Sequence, residues 1–133
     1  MPVYRDTTQL YACVRAVFDQ IQSDHPGAAD AIVKAGINFR FRTVEPAGLF
    51  VIEGRRRPPV THFGETPTRV DLDIKLDSNT LHQILLGELG VTKAIGQKRV
   101  LIDGPALKAL ALKDLFFRSQ SIYPAILAGH GIQ

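Results

Sequence analysis

The hydrophobic period of this chain changes at Gly36 and changes back at Asp77, and that order of periods constrains the fold more than any other feature. Before Gly36 the period is helical. Leu10, Val14, Val17, Phe18 and Ile21 recur at three- and four-residue spacing, with Asp6, Thr7 or Thr8 as the cap and an end near Ser23. His25-Pro26-Gly27 turns the chain, and an alanine-rich helix over 28–35 closes on Gly36 as a left-handed cap. After Gly36 the period is two. Ile37, Phe39 and Phe41 alternate with Asn38, Arg40 and Arg42, the pattern of a strand with one face in water. Pro46-Ala47-Gly48 leads into a second strand over 49–53, whose unbroken Leu-Phe-Val-Ile run predicts burial on both faces. A third strand covers 60–63. A fourth covers 70–76, where Val70, Leu72, Ile74 and Leu76 alternate with Asp71, Asp73 and Lys75.

From Asp77 the helical period returns. Asp77 or Ser78 caps a helix running to Leu86, a single turn covers 92–95, a fifth strand covers 100–102, and Gly104-Pro105 opens the C-terminal helices. Four strands following one another as a meander, with helices before and after, predict an α+β fold: a five-stranded, mainly antiparallel sheet with helices covering one face. At 133 residues the chain suits one core and one domain over 1–133.

Several function classes have no carrier here. His25, His62, His82 and His130 fall on a turn, a strand, a helix and a chain end, with no metal-ligand spacing, and His82 reads as a polar-face residue. Asp71 and Asp73 occupy outward strand positions, where solvated charges belong. No phosphate loop or nucleophile elbow is present, so the chain reads as a non-enzyme with neither cofactor nor metal. The single cysteine, Cys13, sits on the apolar face of the first helix as a small buried hydrophobe. Glu88, a lone carboxylate in an apolar run, suits a helix end first and a partner for a ligand's polar head second. A net charge of +3 is mildly basic, and its one dense cluster, Arg55-Arg56-Arg57, suits either a solvated turn or transient contact with an anionic membrane surface. Nucleic acid is not an expected partner, because helix-turn-helix and aromatic stacking patterns are both missing. No apolar run reaches 18 residues, the N-terminal ten lack a secretory pattern, and the end at Gly131-Ile132-Gln133 is no peroxisomal address; the expected location is cytoplasmic.

The run from Leu81 to Phe117 holds more apolar surface than three short elements need. Leu107, Leu110, Ala111 and Leu115 form one helical stripe, which Leu112, Phe116 and Phe117 widen. Deep burial, an oligomer interface, a membrane-touching surface and a ligand cavity all produce such a band, and composition alone does not choose among them.

Within this run Asp77-x-x-Thr80-Leu81-x-x-Ile84-x-Leu86-Gly87-Glu88-Leu89, Thr92-Lys93-Ala94, Arg99-Val100-x-Ile102-x-Gly104-Pro105 and Leu107-Lys108-Ala109-Leu110 follow one another. In order and at these spacings they resemble the bacterial-type pattern of the sterol carrier protein type 2 domain, also called the non-specific lipid transfer fold. The resemblance covers the chain from about Ile37 to the C-terminal helix. It implies an apolar tunnel between sheet and helices that takes up a fatty acid, a fatty acyl group or a sterol- or isoprenoid-like lipid without catalysis. The expected lining is Phe63, Leu72, Ile74, Leu81, Ile84, Leu85, Leu89, Ile95, Leu107, Leu110, Phe116 and Ile126. A second reading is an accessory or scaffold protein that presents a lipophilic intermediate, quinone- or polyketide-like, to partner enzymes. One departure stands out: the family commonly has glycine directly before the Arg-Val of the fifth strand, and this chain has Lys98 there. Lysine at a positive φ is strained, so the loop is expected to shift.

Overall fold

In the computed structural model, which describes residues 2–132, helix α1 spans Thr7–Asp24 and carries the predicted face: Leu10, Val14, Val17 and Ile21 are buried. Asp6 caps it, its carboxylate accepting from the Gln9 N–H at 2.8 Å. Met1 and Gln133 lie outside the described residues. A 3₁₀ turn over Pro26–Ala29 leads into α2, Asp30–Ala35, and Gly36 closes it at φ 64. The strands are β1, Asn38–Val44; β2, Gly48–Glu53; β3, Val60–Phe63; β4, Leu72–Asp77; and β5, Val100–Asp103. Between β4 and β5 lie α3, Ser78–Leu86, and α4, Val91–Gly96.

The strand order is β3-β2-β1-β4-β5, which corrects the four-strand meander. Only β1, β2 and β3 meander. β4 returns to the far side of β1 and pairs with it in parallel, Arg40 opposite Asp73 and Arg42 opposite Lys75. The other three pairings are antiparallel, so the sheet is mixed and mainly antiparallel. Ion pairs accompany the placement. Arg40 Nη2 donates to Asp73 Oδ2 at 2.6 Å, Arg42 Nε to the same oxygen at 3.3 Å, and Arg55 Nη2 to Asp71 Oδ1 at 2.8 Å. Asp71 and Asp73 are therefore half-buried ion-pair partners rather than freely solvated charges. Asp73 accordingly sits below the usual carboxylate range: burial opposes the shift, and the hydrogen bond and charge of Arg40, then Arg42, overcome it.

The connection over 64–71 crosses the face of the sheet turned away from the helices. Gly64 N–H donates to Leu49 O at 2.7 Å, Thr68 Oγ1 to Glu53 Oε1 at 3.0 Å, and Asn38 Nδ2 to Arg69 O at 2.8 Å. That strap is why β2 is buried on both sides: Phe50 and Ile52 face the helices, and Val51, on the other face, is buried too. His62 lies on this outer face, its Nε2 3.0 Å from Glu53 Oε2.

The C-terminal segment departs from the expected α-helix. Residues Ala106–Leu112 form a 3₁₀ helix, and only from Lys113 does α5 run on to Gly129. With three residues per turn rather than 3.6, the inward row becomes Ala109, Leu112 and Leu115, all buried. The stripe shifts by about one residue, and Leu107 and Leu110 are carried to the outside, 83% and 41% exposed.

Candidate functional site

Sheet and helices meet over an apolar cavity. Its floor is Phe41, Ile74, Leu76, Val100 and Ile102 from β1, β4 and β5. Its walls are Leu81 and Ile84 of α3, Val91 and Ile95 of α4, and Ala109, Leu112 and Phe116 from the C-terminal segment. Each element brings these residues inward for a local reason. Strand alternation turns the even-numbered residues of β4 and β5 toward the helices, and α3 is fixed at both ends, with Asp77 Oδ1 accepting from the Thr80 N–H at 2.7 Å and Gly87 left-handed at φ 82.

The cavity is about 20 Å³. That is room for roughly one water molecule, whereas drug-sized ligands sit in clefts of about 300–1,000 Å³. The cavity is thus a small gap in an otherwise packed apolar lining.

Of the expected lining residues, Ile74, Leu81, Ile84, Ile95 and Phe116 stand on this cavity. Leu72, Leu85 and Leu89 are core residues just beyond it, buried but not on its wall. Phe63 is at the β3 edge, its ring 5.2 Å from Tyr11 and 5.7 Å from Phe50, and Ile126 is half-buried further along α5. Leu107 and Leu110 stand outside. Sequence reasoning passed over Phe41, Leu76, Val100 and Ile102, which strand parity would have supplied, and Ala109 and Leu112, which need the 3₁₀ period.

Lys98 holds φ 59, so the loop has not shifted to spare the lysine: the turn after α4 keeps the left-handed residue and lysine occupies it. Arg99 N–H then reaches back to Ala94 O at 3.0 Å and closes the end of α4.

A second, larger concavity of about 710 Å³ adjoins the first, sharing Leu76, where β1 and β4 end and β5 begins. Tyr11, Val44, Leu49, Leu76 and Leu101 line it beside the charged Arg42, Lys75, Lys98, Arg99, Glu65 and Asp77, so it is an open groove of mixed character and not an enclosed apolar site. Arg99 Nη2 is engaged with Thr80 Oγ1 at 2.9 Å, and Asp77 is the cap of α3.

Behind α3, Tyr4 and Tyr123 share a hydrogen bond and His82 Nδ1 lies 2.6 Å from Tyr123 Oη. His82 is therefore half-buried, not on a solvated polar face. Burial pushes both tyrosines up and lowers the histidine, leaving all three neutral. Burial also raises the Cys13 thiol, the wrong direction for a nucleophile. Glu88 is exposed. Among the described residues no cluster of three metal-ligating side chains occurs, and no helix is long and apolar enough to cross a membrane.

No family model matches the chain, and no curated protein is similar to it. Solved structures are. The sterol carrier protein domain 2 of Helicoverpa armigera superposes with a TM-score of 0.66 at 16% identity, over 85% of this chain and 89% of that one. Palmitated sterol carrier protein 2-like 2 of Aedes aegypti gives 0.58 at 12% identity, over 80% and 92%. A stereoselective inverting sec-alkylsulfatase of a Pseudomonas species gives 0.53 at 23% identity, covering 67% of this chain and 14% of the enzyme. At these identities the likeness establishes the fold: this chain has the sterol carrier protein 2 fold.

Proposed function

We propose that residues 1–133 act as one non-catalytic carrier, working in the cytoplasm, which takes a single fatty acid, fatty acyl group or sterol- or isoprenoid-like lipid into the cavity between sheet and helices. The observation that carries this reading is the lining: every wall residue is apolar, in a fold shared with a protein that holds palmitate. The energetics suit it. Burying an alkyl chain gives about 0.8 kcal/mol per methylene, enough over a long chain to exceed much of the roughly 4–15 kcal/mol association cost and the work of parting the helices. Transient contact with an anionic membrane surface through Arg55, Arg56 and Arg57 belongs to the same proposal. Arg55 and Arg56 are already paired with Asp71 and Glu53, which weakens their share.

Native mass spectrometry of the purified protein tests the carrier. A heterogeneous set of lipid adducts is the expected result; a protein that is empty and ignores added fatty acid would overturn it. A second reading, an accessory protein presenting a quinone- or polyketide-like intermediate to partner enzymes, is favoured by the occurrence of this fold within an alkylsulfatase chain. One defined compound in the same spectrum would support that reading instead.

A further inference from the structure

The cavity cannot admit a chain as it stands, so one of its walls must move. The walls differ. α3 is capped at both ends, whereas the 3₁₀ helix Ala106–Leu112 has no side-chain cap at Pro105 and runs seven residues, beyond the three or four that this geometry usually sustains. Its two faces also point to different solvents. Ala109 and Leu112 face the cavity with Phe116, while the opposite row, Leu107, Leu110 and, one turn into α5, Phe117, is 83%, 41% and 62% exposed. Outward apolar side chains of this size, three in one row, are what a water-facing helix avoids.

The charges beside that row name its partner. Lys108, Lys113 and Arg118 are exposed on the same segment against one carboxylate, Asp114, and the Arg118 guanidinium lies 5.8 Å from the Phe117 ring. The 3₁₀ helix packs on α2, whose Lys34 lines a groove with Arg57 of the β2–β3 loop, so the basic rim continues past the segment. An apolar row with a cationic border matches the boundary between the headgroups and acyl chains of an anionic bilayer.

We propose that residues 106–118 are the lid of the cavity and the membrane-docking face at once: Leu107, Leu110 and Phe117 enter an anionic lipid surface, and the 3₁₀ helix shifts with them, opening the cavity toward the bilayer. The proposal rests on the carrier reading for its lid half and on the exposed row alone for its docking half. The lipid surface replaces water around the outward leucines, so docking and opening favour one another, and the closed form is the one expected away from membranes.

The test is flotation with vesicles of equal parts phosphatidylcholine and phosphatidylserine, with hydrogen exchange of the bound protein. Wild type should float, and its 106–117 amides should exchange faster on the vesicles than in solution. Leu107→Ser with Phe117→Ser, both at exposed positions, should cut flotation about tenfold or more while leaving the thermal unfolding midpoint unchanged. Lys108→Gln with Lys113→Gln should weaken it less, and only on the anionic vesicles. Wild type that does not float, a serine variant that floats equally well, or lid amides that stay protected on the vesicle would each overturn the proposal. So would a dimer in sedimentation that the serine variant dissolves, since a second copy would then cover this face. If wild type floats through these residues but takes up no fatty acid in any form, docking stands and the carrier reading falls.

Discussion

α3 and the 3₁₀ helix face the same cavity from two sides, yet one is capped at both ends and the other has no side-chain cap. In α3, a nine-residue helix, Leu81, Ile84 and Leu85 are buried, and Asp77 and Gly87 secure its ends. The 3₁₀ helix buries Ala109 and Leu112 and leaves Leu107 and Leu110 in water. The same composition, leucine-rich and alanine-rich, thus serves rigidity in one wall and a loose, two-faced cover in the other. What separates them is the helical period and the presence of caps rather than hydrophobic content.

The largest expected effect tests that contrast directly. Leu81→Ala removes a side chain only 1% exposed from the fixed wall and should cost about 2–5 kcal/mol in denaturant unfolding. Leu107→Ala, in the same kind of sequence, should fall within about 0.5 kcal/mol of wild type. If Leu107→Ala proves as costly as Leu81→Ala, the segment is an α-helix with the 3.6-residue stripe and the two walls are alike.

A second effect lies at the hinge end of the mobile wall. Gly104 sits at φ 121, and a Cβ there would stand 2.6 Å from Asp71 O. Gly104→Ala should therefore cost about 1–3 kcal/mol, read as a lower unfolding midpoint with an unchanged denaturant slope. A neutral outcome would show that the connection from β5 to the 3₁₀ helix already rearranges freely. In the turn after α4 the sign reverses. Lys98 is held left-handed at φ 59, so Lys98→Gly should stabilise the protein by up to about 1 kcal/mol. Thermal unfolding that shifts downward instead would mean that the lysine makes a compensating contact.

How far the sequence spoke follows the same division. Asp6, Gly36 and Asp77 are local devices, read from a few neighbours, and the elements they bound formed where the residues indicate. Strand alternation likewise fixed which side chains of β1 and β4 turn inward. The order of strands was not legible, because β4 pairs with β1 across 33 residues, as Arg40 meeting Asp73 marks, and no local pattern encodes such a long-range neighbour. In the cavity, five of the twelve expected residues came from α3, α4, α5 and β4, where the period was right. Leu107 and Leu110 turned outward because a 3.6-residue stripe was read into a segment that coils at three, and a leucine-rich run carries no signal that distinguishes the two. Phe63 has core-facing parity but sits on β3, at the sheet edge far from α4 and β5.

The smallest effect concerns how α3 is tied from behind. His82, on its outer side, meets Tyr123 of α5 at 2.6 Å, and Tyr123 meets Tyr4 ahead of α1, so three segments share one neutral polar cluster. Burial lowers the His82 pKa from its ordinary 6.5, and the Glu88 charge opposes this only in part. In the unfolded chain the imidazole takes its proton near the ordinary value, whereas in the folded one it does so only at lower pH. Between those two values the unfolded state binds more protons, so stability is full above about pH 6.5 and declines as the pH falls below it. Unfolding free energies measured across pH 5 to 8 should show this decline in wild type and a flatter profile in His82→Asn, whose amide cannot titrate. Parallel profiles would mean that His82 protonates as easily in the folded state as outside it, and that the rear of the fixed wall is as open as the front of the lid.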